Sequence, residues 1–288
     1  MTQVEGSPVG RVSAANRNLL LRLLSAGLLV PILLVVILWP RPEPMAICVH
    51  LAVVVGLVEF FWITLRDDPV WMRLAGVALG LTTSVTIYWC PRPEAVTAML
   101  MVTTMVSALL HLVRFGDLPT ATSRTGLTLL GVHYVALLLT PLALLKRLPQ
   151  GSDWIFLVLT ITWLSDTGAY FSGRALGRHK LYPAISPGKS IEGAIGGLCS
   201  SVGAAVLAHL WYMPQLGWRD AVLIAVIGGA LGQAGDLVES MVKRGYGVKD
   251  SGWIIPGHGG LLDRIDALLF SAPFVYLYAT YVMKAAPL

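Results

Sequence analysis

Charge is what this chain has least of: Asp, Glu, Lys and Arg make up only 13% of its 288 residues. A soluble domain carries nearer a quarter, so a protein wet on every side is excluded. Cysteine is scarce too. Cys48, Cys90 and Cys199 stand far apart in apolar runs, with no CxxC pair and no histidine at ligand spacing, which excludes a disulfide framework and a zinc centre. No serine or cysteine nucleophile with a partnered histidine stands out, and there is neither an internal repeat nor a low-complexity tract. What is abundant is apolar: 56% of residues fall in AVILMFWYC and the mean hydropathy is +0.71. A chain this apolar buries ample surface, so disorder is excluded as well.

A bilayer core about 30 Å thick needs roughly 20 apolar residues per helix. Nine such stretches can be marked, near 19–39, 46–65, 72–89, 95–113, 126–145, 154–172, 191–212, 221–238 and 261–283. Prolines such as Pro42, Pro91, Pro119, Pro149, Pro187, Pro214 and Pro256 fall between them, as helix breakers should. The first stretch is long, carries Arg22 and ends at Trp39-Pro40-Arg41-Pro42 without a small-residue cleavage site, so it reads as a mature span and not a signal peptide. The expected fold is all-α, a polytopic integral membrane protein of about nine transmembrane helices.

Orientation follows from Lys and Arg. With the N-terminus inside, the outer side holds only Arg41, Arg92, Lys146, Arg147, Arg219 and Lys284, leaving fifteen of the 21 basic residues inside. That asymmetry predicts an N-in, C-out topology. The basic excess, 21 against 16 acids, is thus a topology signal, and no nucleic-acid partner is expected.

The organisation predicted is a cytoplasmic tail over 1–18, a five-helix membrane region over 19–145, and a four-helix catalytic region over 146–288. Polar residues are rare in the five-helix region, Glu59, His111 and His133 being the exceptions. Beyond it, two cytoplasmic loops lengthen, 173–190 and 239–260, and fill with Gly, Ser, Lys, Asp and His. Long loops of that composition are where function usually sits.

Acids near a bilayer persist only when paired, hydrated or bound to a cation. Here they gather on one membrane face: Asp166 near the end of the sixth span, Glu192 at the start of the seventh, Asp236 and Glu239 at the end of the eighth, Asp263 and Asp266 opening the ninth. Asp263 and Asp266 stand three apart, on one side of a helix and close enough to share a hard cation. Oxygen ligands without cysteine suit magnesium. Beside them lie Lys243, Arg244 and Lys249 in one loop and Arg174, Arg178, Lys180 and Lys189 in the other. Pro256-Gly257-His258-Gly259-Gly260 runs into the ninth helix, so bare amides at a helix N-terminus can face an anion. Acids for magnesium with bases and amides for phosphates form a kit for phosphoryl or nucleotidyl transfer.

Plainer readings exist for each feature alone. Interleaved acids and bases also describe a solvated salt-bridge network, and Gly193-x-x-x-Gly197 and Gly228-x-x-x-Gly232 read as close-packing faces between spans. Gly188-Lys189-Ser190 looks like the end of a P-loop, but Pro183 occupies the position of its first glycine, so that match fails. Density and common sidedness favour a site.

Residues 240–266, SMVKRGYGVKDSGWIIPGHGGLLDRID, closely resemble the signature of phosphatidate cytidylyltransferases, with S-x-x-K-R, K-D, H-G-G and D-R-x-D at matching spacing. Asp166, Ala169, Tyr170, Gly173 and Arg174 resemble the family's D-x-x-A-Y-x-x-G-R element. Residues 186–193 resemble its S-P-x-K-T-x-E-G element, with Ser190 in place of Thr, a swap that keeps the hydroxyl. The likeness covers roughly 160–270.

The resemblance implies that CTP and phosphatidic acid give CDP-diacylglycerol and pyrophosphate at the cytoplasmic face of a bacterial inner membrane, with the lipid bilayer as medium. It implies magnesium, one or two divalent cations, with a monovalent ion as an alternative second. Asp236, Asp263 and Asp266 are expected as metal ligands; Lys243, Arg244, Lys249 and Arg264 as neutralisers of the triphosphate; Ser186, Lys189 and Arg174, with Tyr170, as holders of a substrate phosphate. His258, Gly259 and Gly260 would shape a loop over the nucleotide. Asp166, Glu192 and Asp250 would join the metal shell or orient the bases. A CTP-dependent lipid kinase of the dolichol or phytol type and an ion-coupled transporter are the alternatives, and the oligomeric state is open between monomer and homodimer.

Overall fold

The computed structural model describes residues 24–113, 118–254 and 259–285. Nine helices are present among them: α1 (Leu24–Leu38), α2 (Glu43–Thr64), α3 (Val70–Trp89), α4 (Pro93–Leu112), α5 (Leu118–Leu145), α6 (Gly151–Leu176), α7 (Ile191–Trp211), α8 (Trp218–Gly245) and α9 (Leu262–Val282). From α2 to α9 all eight are long and apolar enough to cross a membrane. The last eight apolar stretches are therefore spans, against the nine expected, the described part of the first being the shorter helix α1, and the chain is a polytopic integral membrane protein. The tail 1–18, Arg114 and His258 lie outside the described residues.

Local chemistry sets the helix ends. Pro93 occupies the first position of α4, where its missing N–H is unneeded and its φ is already helical. Ser190 caps α7 by accepting from the Gly193 amide at 3.1 Å. Pro141 lies inside α5 and cannot donate; the turn before it, Val132–Leu137, opens to a π-helix and makes room for the ring.

The loop expected over 173–190 is shorter and more ordered than its composition suggests. Helix α6 runs on to Leu176, and two short strands follow, β1 (Lys180–Tyr182) and β2 (Ser186–Ser190), paired antiparallel with Lys180 opposite Ser190 and Tyr182 opposite Ser186. The all-α expectation holds, with this one short hairpin added. Helix α8 likewise reaches Gly245, well into the stretch read as loop from 239.

Packing joins the two parts of the chain. One apolar core holds Leu57, Phe60 and Phe61 of α2, Val135 and Leu139 of α5, Ile155 and Val158 of α6, and Ile265 and Leu269 of α9. Small residues bring α6 and α7 together: a Cβ on Gly193 would lie 2.9 Å from the Ala169 carbonyl, and one on Gly197 2.9 Å from that of Ser165. Gly228 and Gly232 face α9 at Phe274 and Ser271. The glycine spacings are packing faces, as in membrane bundles generally, where close backbone approach replaces hydrophobic drive.

Candidate active site

At one end of the bundle, the C-terminal ends of α6 and α8 meet the N-terminal ends of α7 and α9, and the hairpin and the loop residues Lys249 and Asp250 complete the wall. They enclose a cavity of about 730 Å³. Six bases line it, Arg174, Lys189, Lys243, Arg244, Lys249 and Arg264, against five carboxylates, Asp166, Asp236, Asp250, Asp263 and Asp266. Tyr170 and Ser186 also line it, so thirteen of the expected site residues meet in one space.

The carboxylates divide into two groups. Asp166, Asp236 and Asp266, from α6, α8 and α9, are near enough to repel one another. Lys189 reaches from β2 to Asp236 at 2.6 Å and partly offsets that repulsion. Ser240 donates to the other Asp236 oxygen at 3.4 Å.

Asp263 belongs to a separate network. Its Oδ1 takes the Lys243 ammonium at 2.5 Å, and its Oδ2 accepts the amides of Ser251 at 2.9 Å and Gly260 at 3.0 Å. Lys243 also contacts Glu239, 1% exposed, one turn earlier on α8. Asp263 is thus held mainly by the protein's own donors, and among the described residues no three Asp, Glu, His or Cys side chains form a group that could hold a metal ion. The donor chemistry is still that of a hard-cation site: Asp166, Asp236 and Asp266 are three carboxylates whose mutual repulsion a cation among them would relieve.

The helix N-terminus is also taken. Its expected role was to face an anion with bare amides; instead the Gly260 amide serves Asp263, and those of Leu261 and Leu262 donate to Glu59 of α2 at 2.9 and 2.8 Å. Intramolecular carboxylates occupy the donors a substrate would need. Gly259 and Gly260 accordingly do not line the cavity. Gly259 has a φ of +84°, which side chains rarely adopt, and this turn brings the loop back to Asp263.

Glu192 is the other departure. It does not line the cavity but binds the amides of Arg178 and His179, at 3.1 and 3.3 Å, and the His179 ring at 2.7 Å. A carboxylate in the first turn of α7 thereby anchors the start of the hairpin. Gln233 is a lining residue that motif reading missed: its amide donates to Ser165 Oγ at 3.2 Å and the Ala194 carbonyl at 3.1 Å, holding α8 against α6 and α7. A lone glutamine in an apolar helix was its only signal.

Comparison with known proteins identifies the pattern. Residues 20–282 match the profile described as "Cytidylyltransferase family". A phosphatidate cytidylyltransferase of Bacillus subtilis (strain 168) is 41% identical over 152 residues, 52% of this chain and 56% of that protein. One of Staphylococcus aureus (strain COL) is 49% identical over 129 residues, 44% of this chain and 48% of its own length. The chain spans about half the length of the curated relatives it matches.

Proposed function

The chain belongs to the cytidylyltransferase family, and from that premise we propose that it transfers the cytidylyl group of CTP to phosphatidic acid, giving CDP-diacylglycerol and pyrophosphate. The observation that carries the reading is the placement of the cavity: a strongly charged space at the end of lipid-embedded helices is where a headgroup phosphate and a soluble nucleotide can meet. The Lys and Arg asymmetry supports a cytoplasmic-facing site, and the bacterial relatives support a bacterial inner membrane.

Six bases against five acids leave the cavity with little net charge. A triphosphate and a phosphomonoester bring far more negative charge than that, so added cations are needed. Magnesium, when bound, would neutralise the triphosphate and the departing pyrophosphate. Asp166, Asp236 and Asp266 are the side chains that would hold it. Asp263 has another task, holding Lys243 in place.

In the proposed reaction an oxygen of the phosphatidate phosphate bonds to the α-phosphorus of CTP. The bond from that phosphorus to the bridging oxygen of the β-phosphate breaks, and pyrophosphate leaves with the electron pair. The attacking dianion needs no base, and positioning with charge neutralisation supplies the rate. Lys243, Arg244, Lys249 and Arg264 neutralise the triphosphate, while Lys189, Arg174 and Ser186, with Tyr170, hold the lipid phosphate.

The test is an assay of purified protein with CTP, phosphatidic acid and magnesium. Label from α-labelled CTP should enter the lipid and label from γ-labelled CTP should leave as pyrophosphate. Label entering the lipid only from the γ position would replace this reading with a lipid kinase, and no labelled lipid at all would end it.

A further inference from the structure

Glu59 stands on α2, in a part of the chain that contributes nothing to the cavity lining, yet its carboxylate is 4% exposed and fully engaged. Its Oε2 accepts from the Ser251 hydroxyl at 3.0 Å and the Leu262 amide at 2.8 Å, and its Oε1 from the Leu261 amide at 2.9 Å. Ser251 is the second joint. Its hydroxyl accepts from the Asp263 amide at 3.3 Å while its own amide donates to Asp263 Oδ2 at 2.9 Å. Asp263 Oδ1 then holds Lys243. A continuous run of bonds therefore leads from α2 through Ser251 and Asp263 to an ammonium at the cavity wall.

The fit around the carboxylate is tight on two sides. A Cβ on Gly252 would lie 2.5 Å from Glu59 Oε1, and one on Gly260 2.7 Å from Oε2. Capping α9 alone would not require this arrangement, since a Ser, Thr or Asp just before the helix could do so locally. Reaching across from α2 adds a fixed reference point: Phe60 and Phe61, next in the chain, are 1% and 0% exposed in the core. The loop thus takes its position from a helix that cannot shift without disturbing the core.

We infer that Glu59 is a positioning residue for this site, holding Asp263 and Lys243 at the cavity wall through Ser251. The inference rests on the reaction proposed above, but its structural half can be tested without it. A preset side chain loses catalytic rate when its support loosens, because small displacements at a phosphate site are costly.

Wild type, Glu59→Gln, Ser251→Ala and the double variant are purified in detergent, checked for monodispersity and assayed over ranges of CTP and phosphatidic acid. Glutamine keeps the shape but presents an NH₂ group to one of the donors, whichever way it is turned. Expected for Glu59→Gln is a kcat about tenfold lower with both KM values within about threefold of wild type. Ser251→Ala should lose less, and the double variant should be no worse than Glu59→Gln, because both changes break one relay. Among the described residues, hydrogen exchange should quicken at 249–254 and 259–263 and at no others.

Wild-type kcat in monodisperse Glu59→Gln overturns the inference, and so do additive losses in the double variant. If Glu59→Gln does not fold, Glu59→Asp, which keeps both acceptors one methylene shorter, is judged by the same criteria. An inactive wild type rejects the proposed reaction; unchanged exchange in the loop then rejects the positioning by Glu59 as well, and quickened exchange there sustains it.

Discussion

Lys243 Nζ lies 2.5 Å from Asp263 Oδ1, clasping the C-terminal end of α8 to the first turn of α9, with the two side chains 12% and 7% exposed. A pair so sheltered is strongly destabilised when one partner is lost, since the remaining charge has little water to turn to. Glu239, on the other side of Lys243, keeps the ammonium partly compensated.

Asp263→Asn follows from that clasp. The amide can still accept from Ser251 and Gly260 but no longer carries the charge that holds Lys243. Transfer should fall by about 100-fold or more in kcat, with the protein still folded in the membrane because Glu239 retains the lysine. CDP-diacylglycerol formation and a size-exclusion profile check it, and near-normal turnover would refute the role.

Asp266→Asn removes one of three mutually repelling carboxylates. In chelator the variant should melt higher than wild type by roughly a few degrees. If the proposed magnesium site is right, magnesium should raise the Tm of the wild type, and the variant should lose that rise and, with it, the activity. Thermal melts with and without magnesium decide the matter; an undiminished magnesium response would remove Asp266 from the cation ligands.

Lys189→Ala breaks the 2.6 Å pair with Asp236, whose members are each 30% exposed. A pair that open contributes at most about 1 kcal/mol, so the melting point should barely move. The KM for phosphatidic acid should rise by about tenfold or more, with kcat changing less. An unchanged KM with a reduced kcat contradicts the binding role.

Gly260→Ala drives a methyl group into Ser251 Oγ and to 2.6 Å from the Gly252 nitrogen and 2.7 Å from Glu59 Oε2. Gly245→Ala, on the same side of the protein, meets nothing within 4 Å. The first should lower activity by about tenfold or more, whereas the second should leave it near wild type. Equal activity in the two variants would mean that the loop tolerates displacement of Ser251 and Gly252 as well as of Glu59.

Glu192→Gln probes a carboxylate outside the cavity. Its bonds to Arg178 and His179 anchor the hairpin that carries Lys189 and Ser186. The KM for the lipid should rise while kcat stays close to wild type. A large fall in kcat at unchanged KM would return Glu192 to the chemistry.

Some of this was legible in the chain and some was not, for different reasons. Asp166, Asp236 and Asp266 could be placed at one end of three helices by counting residues along spans, because a membrane forces helices to run end to end. Asp263 could not be separated from Asp266 that way. Both sit on one helix face, and only the folded loop supplies the two amides and the lysine that occupy Asp263. The hairpin was hidden as well: Pro187 reads as a breaker between spans, and the partners of β2 lie in another short segment whose residues show no alternating pattern.

Sequence alone determined the membrane bundle, the family and the set of charged residues, because apolar length dictates where helices cross and local motifs dictate what their ends carry. Only the tertiary structure decided which carboxylates remain exposed to one another in the cavity and which are consumed by the protein's own donors. Glu59 is the clearest case. Its place in an apolar helix demanded a partner, but Ser251 lies 192 residues away, and a contact at that separation is set by how α2, α5 and α9 pack.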